Sequence, residues 1–383
     1  MVQDFFVDTP KALTELCRHL AGKEWVAMDT EFIRERSYYP RLCLLQVATD
    51  EQVACIDPLT LPDLGELYSV IYDRNLVKVF HAGRQDLEIF YYLHGELPHP
   101  LFDTQIAAAL LGYGDQVGYG ALVKTMLGVE LPKAHSRTDW SLRPLEPEQI
   151  RYAADDVRYL GQLYQKQRQR LKELGRLDWL ESDFARLADP RTYENPPDEA
   201  WSRVKGSHHL KGVQLAVLQA LAGWREEEAR RRDKPRKWLL RDDVLLDLAR
   251  RRPASHQAMG KIRGLDQGFV RSYGSEILAL IRSASALPVE KWPRQPKKSQ
   301  LSMEQEAIVD AMMALVKLVA LDNRLSPASL ASRRDLEKLV RGEKEVAALQ
   351  GWRGELCGGR LLDFLEGRIR LQLNAGKLEQ HPV

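Results

Sequence analysis

The feature that most restricts the fold of this chain is a change of hydrophobic period at Phe80. Before it come five short β-rich runs, FFVDT, EWVAMDTEF, RLCLLQVAT, QVACIDP and LVKVFHA, interrupted by a helical pattern from about Pro10 to Leu20. After it, apolar residues recur at helical spacing in GRQDLEIFYYL, FDTQIAAALLGY, YGALVKTMLG and the long EPEQIRYAADDVRYLGQLYQKQRQRLKEL. Strands first and helices after them predict an α/β domain over residues 1–195, a mixed sheet flanked by helices.

A chain of 383 residues is too long for one ordinary core. The Pro-rich stretch ADPRTYENPPDEAW ends the first domain, because successive prolines remove amide donors and fix an extended path. A second breaker, LPVEKWPRQPKKSQ, separates two stretches expected to be all-α, residues 208–288 and 299–375. Their similar length and helical character suggest a weak internal repeat.

Charge divides the chain in a second way. Residues 1–200 carry 22 Lys and Arg against 32 Asp and Glu, net −10, whereas 201–383 carry 34 against 22, net +12. An acidic front and a basic back suggest metal ligands in one half and polyanion contacts in the other. Within the back half, residues 201–291 are net +9 and 292–383 net +3, so the first helical stretch is the better candidate for phosphate contact. Its cluster Arg230, Arg231, Arg232, Lys234, Arg236, Lys237 and Arg241 surrounds Trp238, which joins charge to an aromatic suited to stacking. The competing reading makes Trp238 core and pairs the arginines with Glu226, Glu227 and Glu228.

No run of residues is long and apolar enough to span a bilayer; the longest, MMALVKLVAL, is interrupted by Lys317. The N-terminus MVQDFFVDTP lacks the basic and apolar regions of a secretory signal, so the cytoplasm is the expected compartment. Cys17, Cys43, Cys55 and Cys357 are scattered without a CxxC pair, which argues against a zinc site or a disulfide framework.

Four acids and a tyrosine carry the chemistry. On a strand, Asp29 and Glu31 project from one face roughly 7 Å apart. Two acids within an apolar strand are costly unless a cation or donor compensates them. Asp86 falls early in a helix, where a carboxylate also serves as a dipole partner. Tyr152 and Asp156, four apart, share a helix face, and Asp155 competes with Asp156 for the same role; spacing leaves the choice open. Hard oxygen ligands of this kind suit Mg²⁺ or Mn²⁺. Two such cations, held by three or four carboxylates, are suited to clamping an in-line phosphodiester displacement.

The segments VAMDTEF, HAGRQDLEIF and YAADDVRYL resemble the three exonuclease motifs of the DEDD superfamily, and the Tyr-x-x-x-Asp form of the third resembles its tyrosine subclass. KAHSRTDWSLRPL also resembles that family, and DKPRKWLLRDDVLLDLARRRPAS followed by KIRGLD resembles an HRDC (helicase and RNase D C-terminal) domain, with a fainter second copy after it. Nearly the full length resembles the bacterial ribonuclease D family. That resemblance implies a ribonuclease H-like exonuclease domain followed by two HRDC helical bundles. It implies two divalent cations, Mg²⁺ or Mn²⁺, on Asp29, Glu31, Asp86 and Asp156, with Tyr152 positioning the attacking water. It further implies 3′ to 5′ release of nucleoside 5′-monophosphates from tRNA precursors and other small structured RNAs. Contacts to the terminal nucleotide are expected from Thr30, Phe32, Gln46 and His81, although a histidine ending an apolar strand is as often a hydrogen-bonded core residue. Asp103, in FDTQ, reads as a helix cap. A monomer is expected, since three domains can enclose a substrate. A DNA exonuclease shares the chemistry, and a non-catalytic RNA-binding protein is the reading from another class; acids at all the motif positions favour catalysis.

Overall fold

The computed structural model describes residues 3–132, 138–295 and 300–383. Residues 133–137, which open the KAHSRTDWSLRPL stretch, and 296–299, within the second breaker, lie outside them. Two compact units result, one of residues 1–32, 42–192 and 299–383, the other of 33–41 and 193–298.

The first unit is built on a six-stranded sheet of order β1-β4-β3-β2-β5-β6, from β1 (Gln3–Val7), β2 (Trp25–Ile33), β3 (Arg41–Ala48), β4 (Gln52–Ile56), β5 (Val77–Phe80) and β6 (Leu101–Asp103). β1 runs parallel to β4, and β5 parallel to both β2 and β6, whereas β3 is antiparallel to β4, so the sheet is mixed as expected. All five β-rich runs form strands; β6, three residues long, is too short to display a period. Helices α1 (Pro10–Leu20), α2 (Gly65–Ile71), α3 (Arg84–His94), α4 (Thr104–Leu110), α5 (Tyr119–Leu127), α6 (Pro147–Arg158), α7 (Leu160–Glu173) and α8 (Leu180–Leu187) complete this part. Strand β3 is buried at every position from Leu42 to Ala48, the mark of a strand covered on both faces.

The long helical pattern after Glu146 is two helices, broken at Tyr159. The cause is Tyr119: its hydroxyl donates to the Asp155 carbonyl (2.9 Å) and accepts from the Tyr159 N–H (3.2 Å). These two backbone groups would otherwise bond each other, and an inserted side chain is a recognised source of helix kinks. Beyond the break, Gly161 lets α7 close onto β2, since a Cβ there would sit 2.0 Å from the Trp25 ring.

The C-terminal stretch belongs to the same unit, as α14 (Met303–Asn323), α15 (Pro327–Leu330), α16 (Arg333–Val340), α17 (Gly351–Arg353) and α18 (Gly359–Leu365). It is tied to the exonuclease part by Trp179 and Trp352, stacked at 4.5 Å and 4°. Arg353 bonds both oxygens of Asp183 (3.0 and 2.7 Å), and Arg176 donates to the Asn323 carbonyl (2.6 Å). One expectation fails here: residues 299–375 are not all helical. β7 (Ile369–Asn374) and β8 (Lys377–Pro382) pair as an antiparallel hairpin. Ala375 and Gly376, at φ 47° and 79°, supply the two left-handed residues of a tight turn. Most of this hairpin is exposed, so its alternation carries few apolar residues and reads weakly.

The second unit contains α9 (Val213–Arg232), α10 (Arg236–Leu239), α11 (Asp242–Arg251), α12 (His256–Met259) and α13 (Gln267–Ser285) around a core that includes Leu218, Leu221, Leu245, Leu248 and Ile277. Residues 33–41, which connect β2 to β3, pack in this unit. The buried Tyr38 donates its hydroxyl to Glu226, and the Tyr38 and Tyr39 amides donate to Asp233 (2.9 and 3.1 Å). Among the described residues no helix is long and apolar enough to cross a membrane.

Candidate active site

The close approach of Trp25 to α7 fixes which way β2 faces. By alternation Asp29 and Glu31 share the Trp25 side and look towards the layer of α6 and α7. Asp86 sits in the first turn of α3, buried, and accepts a hydrogen bond from the Thr30 hydroxyl, which ties the helix to β2. The turn leading into α3 is bent, with Ala82 at φ 56°. Asp103 holds it: one carboxylate accepts from the amides of Ala82 (3.2 Å) and Gly83 (2.9 Å) and also caps α4 through Gln105 (2.8 Å) and Ile106 (3.2 Å). The helix-cap reading of Asp103 stands, with a second task that sequence spacing does not reveal.

On α6 the structure separates the two adjacent aspartates. Asp155 is engaged by Arg158 (2.7 Å), whose other nitrogens reach Asp4 on β1 (2.7 Å each). Asp156 instead hydrogen-bonds with Tyr152, and the Tyr152 ring lies over Trp140 at 6.3 Å. Asp156 is thus grouped with the other acids and Asp155 with structural cations. Tyr119, which sequence reasoning passed over, sets the turn that carries both, and no local pattern announces that role.

Burial raises the proton affinity of the whole set. Asp29 is held well above the usual carboxylate range by burial and then by Asp86, Asp156 and Glu31. Glu31 is pushed up to about 8 by burial, Asp156 and Asp86. Asp156 rises to about 7 and Asp86 to about 6, both through burial, which the Tyr152 and Thr30 hydrogen bonds partly offset. Tyr152 is raised by burial and by Asp156 and Glu31, so its phenol keeps its proton at neutral pH. Among the described residues no Lys, Arg or His forms an ion pair with any of the four acids. Nor, among the described residues, is any group of three or more acidic, histidine or cysteine side chains gathered tightly enough to hold a metal ion. A cleft of ≈ 800 Å³ opens beside the group between α5 and α6, lined by Tyr119, Lys124, Arg151, Tyr152, Asp155 and Asp156 among others.

The expected nucleotide contacts fare unevenly. Thr30 is buried and committed to Asp86, and Gln46 is fully enclosed with neither amide atom hydrogen-bonded among the described residues. The His81 ring is held at both nitrogens, Nδ1 by Thr104 (2.9 Å) and Nε2 by the Val117 carbonyl (3.0 Å), the hydrogen-bonded core arrangement. Phe32 is half-buried at the end of β2. In the second unit Arg231 and Arg232 bind Glu228 (2.7 and 2.5 Å) and Arg236 binds Glu226 (3.2 Å). The pairing of arginines with glutamates is therefore present. Trp238, however, is 62% exposed and is not core.

The model of a 3′-5′ exonuclease family matches residues 5–172, and that of the HRDC domain matches 214–281. A ribonuclease D of Sphingobium indicum is 41% identical over 374 residues, covering 96% of both chains. The chain belongs to the ribonuclease D family. A ribonuclease D of Gluconacetobacter diazotrophicus is also 41% identical, over 98% of this chain and 96% of its own. The crystal structure of Escherichia coli RNase D, described as an exoribonuclease involved in structured RNA processing, superposes with a TM-score of 0.81 at 35% identity over 94% of this chain and 98% of that one. As a member of the ribonuclease D family the chain is a 3′–5′ exoribonuclease, a hydrolase of phosphodiester bonds, with an HRDC domain in its second unit.

Proposed function

We propose that Asp29, Glu31, Asp86 and Asp156 hold two divalent cations, Mg²⁺ or Mn²⁺, and that the enzyme removes nucleoside 5′-monophosphates from the 3′ ends of tRNA precursors and other small structured RNAs. The observation that carries this reading is four carboxylates within electrostatic reach of one another, raised in proton affinity and, among the described residues, without any cationic side chain as partner. The donor set fits the ions, since it is all hard oxygen. Bound there, divalent cations supply charge stabilisation for the attacking and leaving oxygens of an in-line displacement. Tyr152, fully protonated, donates to Asp156 and orients the attacking water; it does not take the proton. Thr30 fixes Asp86, and Phe32 meets the terminal nucleotide, with Gln46 and His81 supporting from within the fold.

Functional segments of 1–195, 208–288 and 299–375 follow, in a monomer that works in the cytoplasm. We also take 299–375 as a second, diverged HRDC domain. Its opening repeats that of the first: a long helix of 21 residues ending in a left-handed residue, then one of four residues, matching 20 and four in α9 and α10. The test is digestion of a 3′-extended tRNA transcript and matched single-stranded DNA with Mg²⁺, Mn²⁺ or chelator. Mononucleotide release from the RNA is expected, lost with chelator and with Asp29→Asn. Turnover that survives both would remove the cation assignment.

A further inference from the structure

Several arginines of the second unit have no partner among the described residues, and three of these, Arg251, Arg252 and Arg282, meet at one cavity. Arg251 ends α11, Arg252 follows it in the left-handed conformation (φ 46°), and Pro253 then stops the helix. Arg282 lies in the last turn of α13. The three line one shallow cavity of ≈ 420 Å³, whose floor is Pro253 and Ile281 and whose rim includes the half-buried Ser285. No acid lines it. Among the described residues none of the three guanidiniums donates a hydrogen bond or joins an ion pair, not even to the carbonyls that end their own helices.

The arginines of the neighbouring cluster differ from these three in being paired. Arg231, Arg232 and Arg236 lie in the run of basic residues densest in sequence, yet each is bound to a buried glutamate (Glu226 1% and Glu228 7% exposed). Arg231 is forked onto Glu228 through two nitrogens, whereas Arg232 and Arg236 each give one, and in all three the glutamate offsets the charge. Three free guanidiniums facing one cavity repel one another, and an anion bearing several acceptor oxygens relieves that repulsion while receiving their donors.

We infer that the Arg251–Arg252–Arg282 cavity binds the phosphodiester backbone of RNA and is a phosphate grip of the HRDC unit. This rests on the reading of the chain as an RNA-processing enzyme. Backbone contacts position a strand without reading its sequence, so the cavity contributes affinity and salt dependence, not base preference.

The experiment measures binding of a 3′-tailed RNA hairpin to the full chain in chelator across a salt series. Arg251→Gln/Arg252→Gln/Arg282→Gln is compared with Arg231→Gln/Arg232→Gln. Three lost phosphate contacts at about 0.7 each make the slope of log affinity against log salt shallower by about 2 and weaken binding on the order of tenfold. The Arg231/Arg232 pair is expected to leave the slope nearly unchanged. Turnover of a dinucleotide with Mg²⁺ stays at the wild-type rate in both. A triple variant with the wild-type slope overturns the inference, even if it has lost binding of inorganic phosphate or anionic vesicles. A wild-type chain that neither binds nor degrades RNA overturns instead the reading on which it rests. All three side chains are exposed, so unchanged melting is expected; should the triple variant melt early, Arg282→Gln alone is read in the same way, with a slope change of about 0.7.

Discussion

Neighbouring aspartates on α6 have opposite surroundings, and this gives two different predictions from one chemical change. Asp156→Asn removes a member of the acid group and is expected to abolish cation-dependent release of mononucleotides with little change in melting. Asp155→Asn breaks the part-buried pair with Arg158 and is expected to cost about 1 kcal/mol of stability while retaining activity. Equal activity losses in the two variants would contradict the division. The raised carboxylates give a pH prediction with a definite sign. Asp86, Asp156 and Glu31, at about 6, 7 and 8, hold protons in the native state that the unfolded chain has released above about pH 4. The native state binds more protons through that window, so this contribution to the stability of the cation-free protein is lost as pH rises from about 4 to 8. Added Mg²⁺ or Mn²⁺ is expected to raise the melting temperature more at pH 8 than at pH 5.5, and activity to climb along the same limb. A cation shift independent of pH would show that these acids are not the ligands.

Element by element, the site depends on two close fits that bend helices into place. Tyr119→Phe removes the hydroxyl inserted between the Asp155 carbonyl and the Tyr159 amide, which can then bond each other, so the stability cost is expected to stay within about 1 kcal/mol. It is expected to lower kcat more than it raises KM, because α6 straightens and moves Asp156 relative to β2. Gly161→Ala drives a methyl into the Trp25 ring and is expected to cost about 1–3 kcal/mol. The strands and most helices were legible because each has a clean period: α1 starts at Pro10 and ends at Leu20 as the pattern indicates. The kink was not, since its cause lies 40 residues away in Tyr119. Asp86 read as an ordinary helix-start acid, because the Thr30 hydroxyl that gives it significance comes from 56 residues earlier. The hairpin after Leu365 offers little burial for a pattern to show, and in the basic cluster composition counts charges without the glutamates that pair with some of them.

Across the whole molecule, the stacked Trp179 and Trp352 make the C-terminal helices part of the exonuclease unit. Trp352→Ala is expected to cost about 3–5 kcal/mol and to lower the melting of the catalytic sheet with that of the C-terminal helices in a single transition. Two separated transitions, with the sheet unaffected, would refute that coupling.

The excursion of residues 33–41 into the second unit sets a schedule for synthesis. Tyr38 emerges 188 residues before Glu226. At about 5–20 residues per second its partner arrives on the order of ten to forty seconds later. During that interval the loop beside the catalytic strand has no packing surface, and the acids of β2 wait on a segment of the nascent chain made long after them.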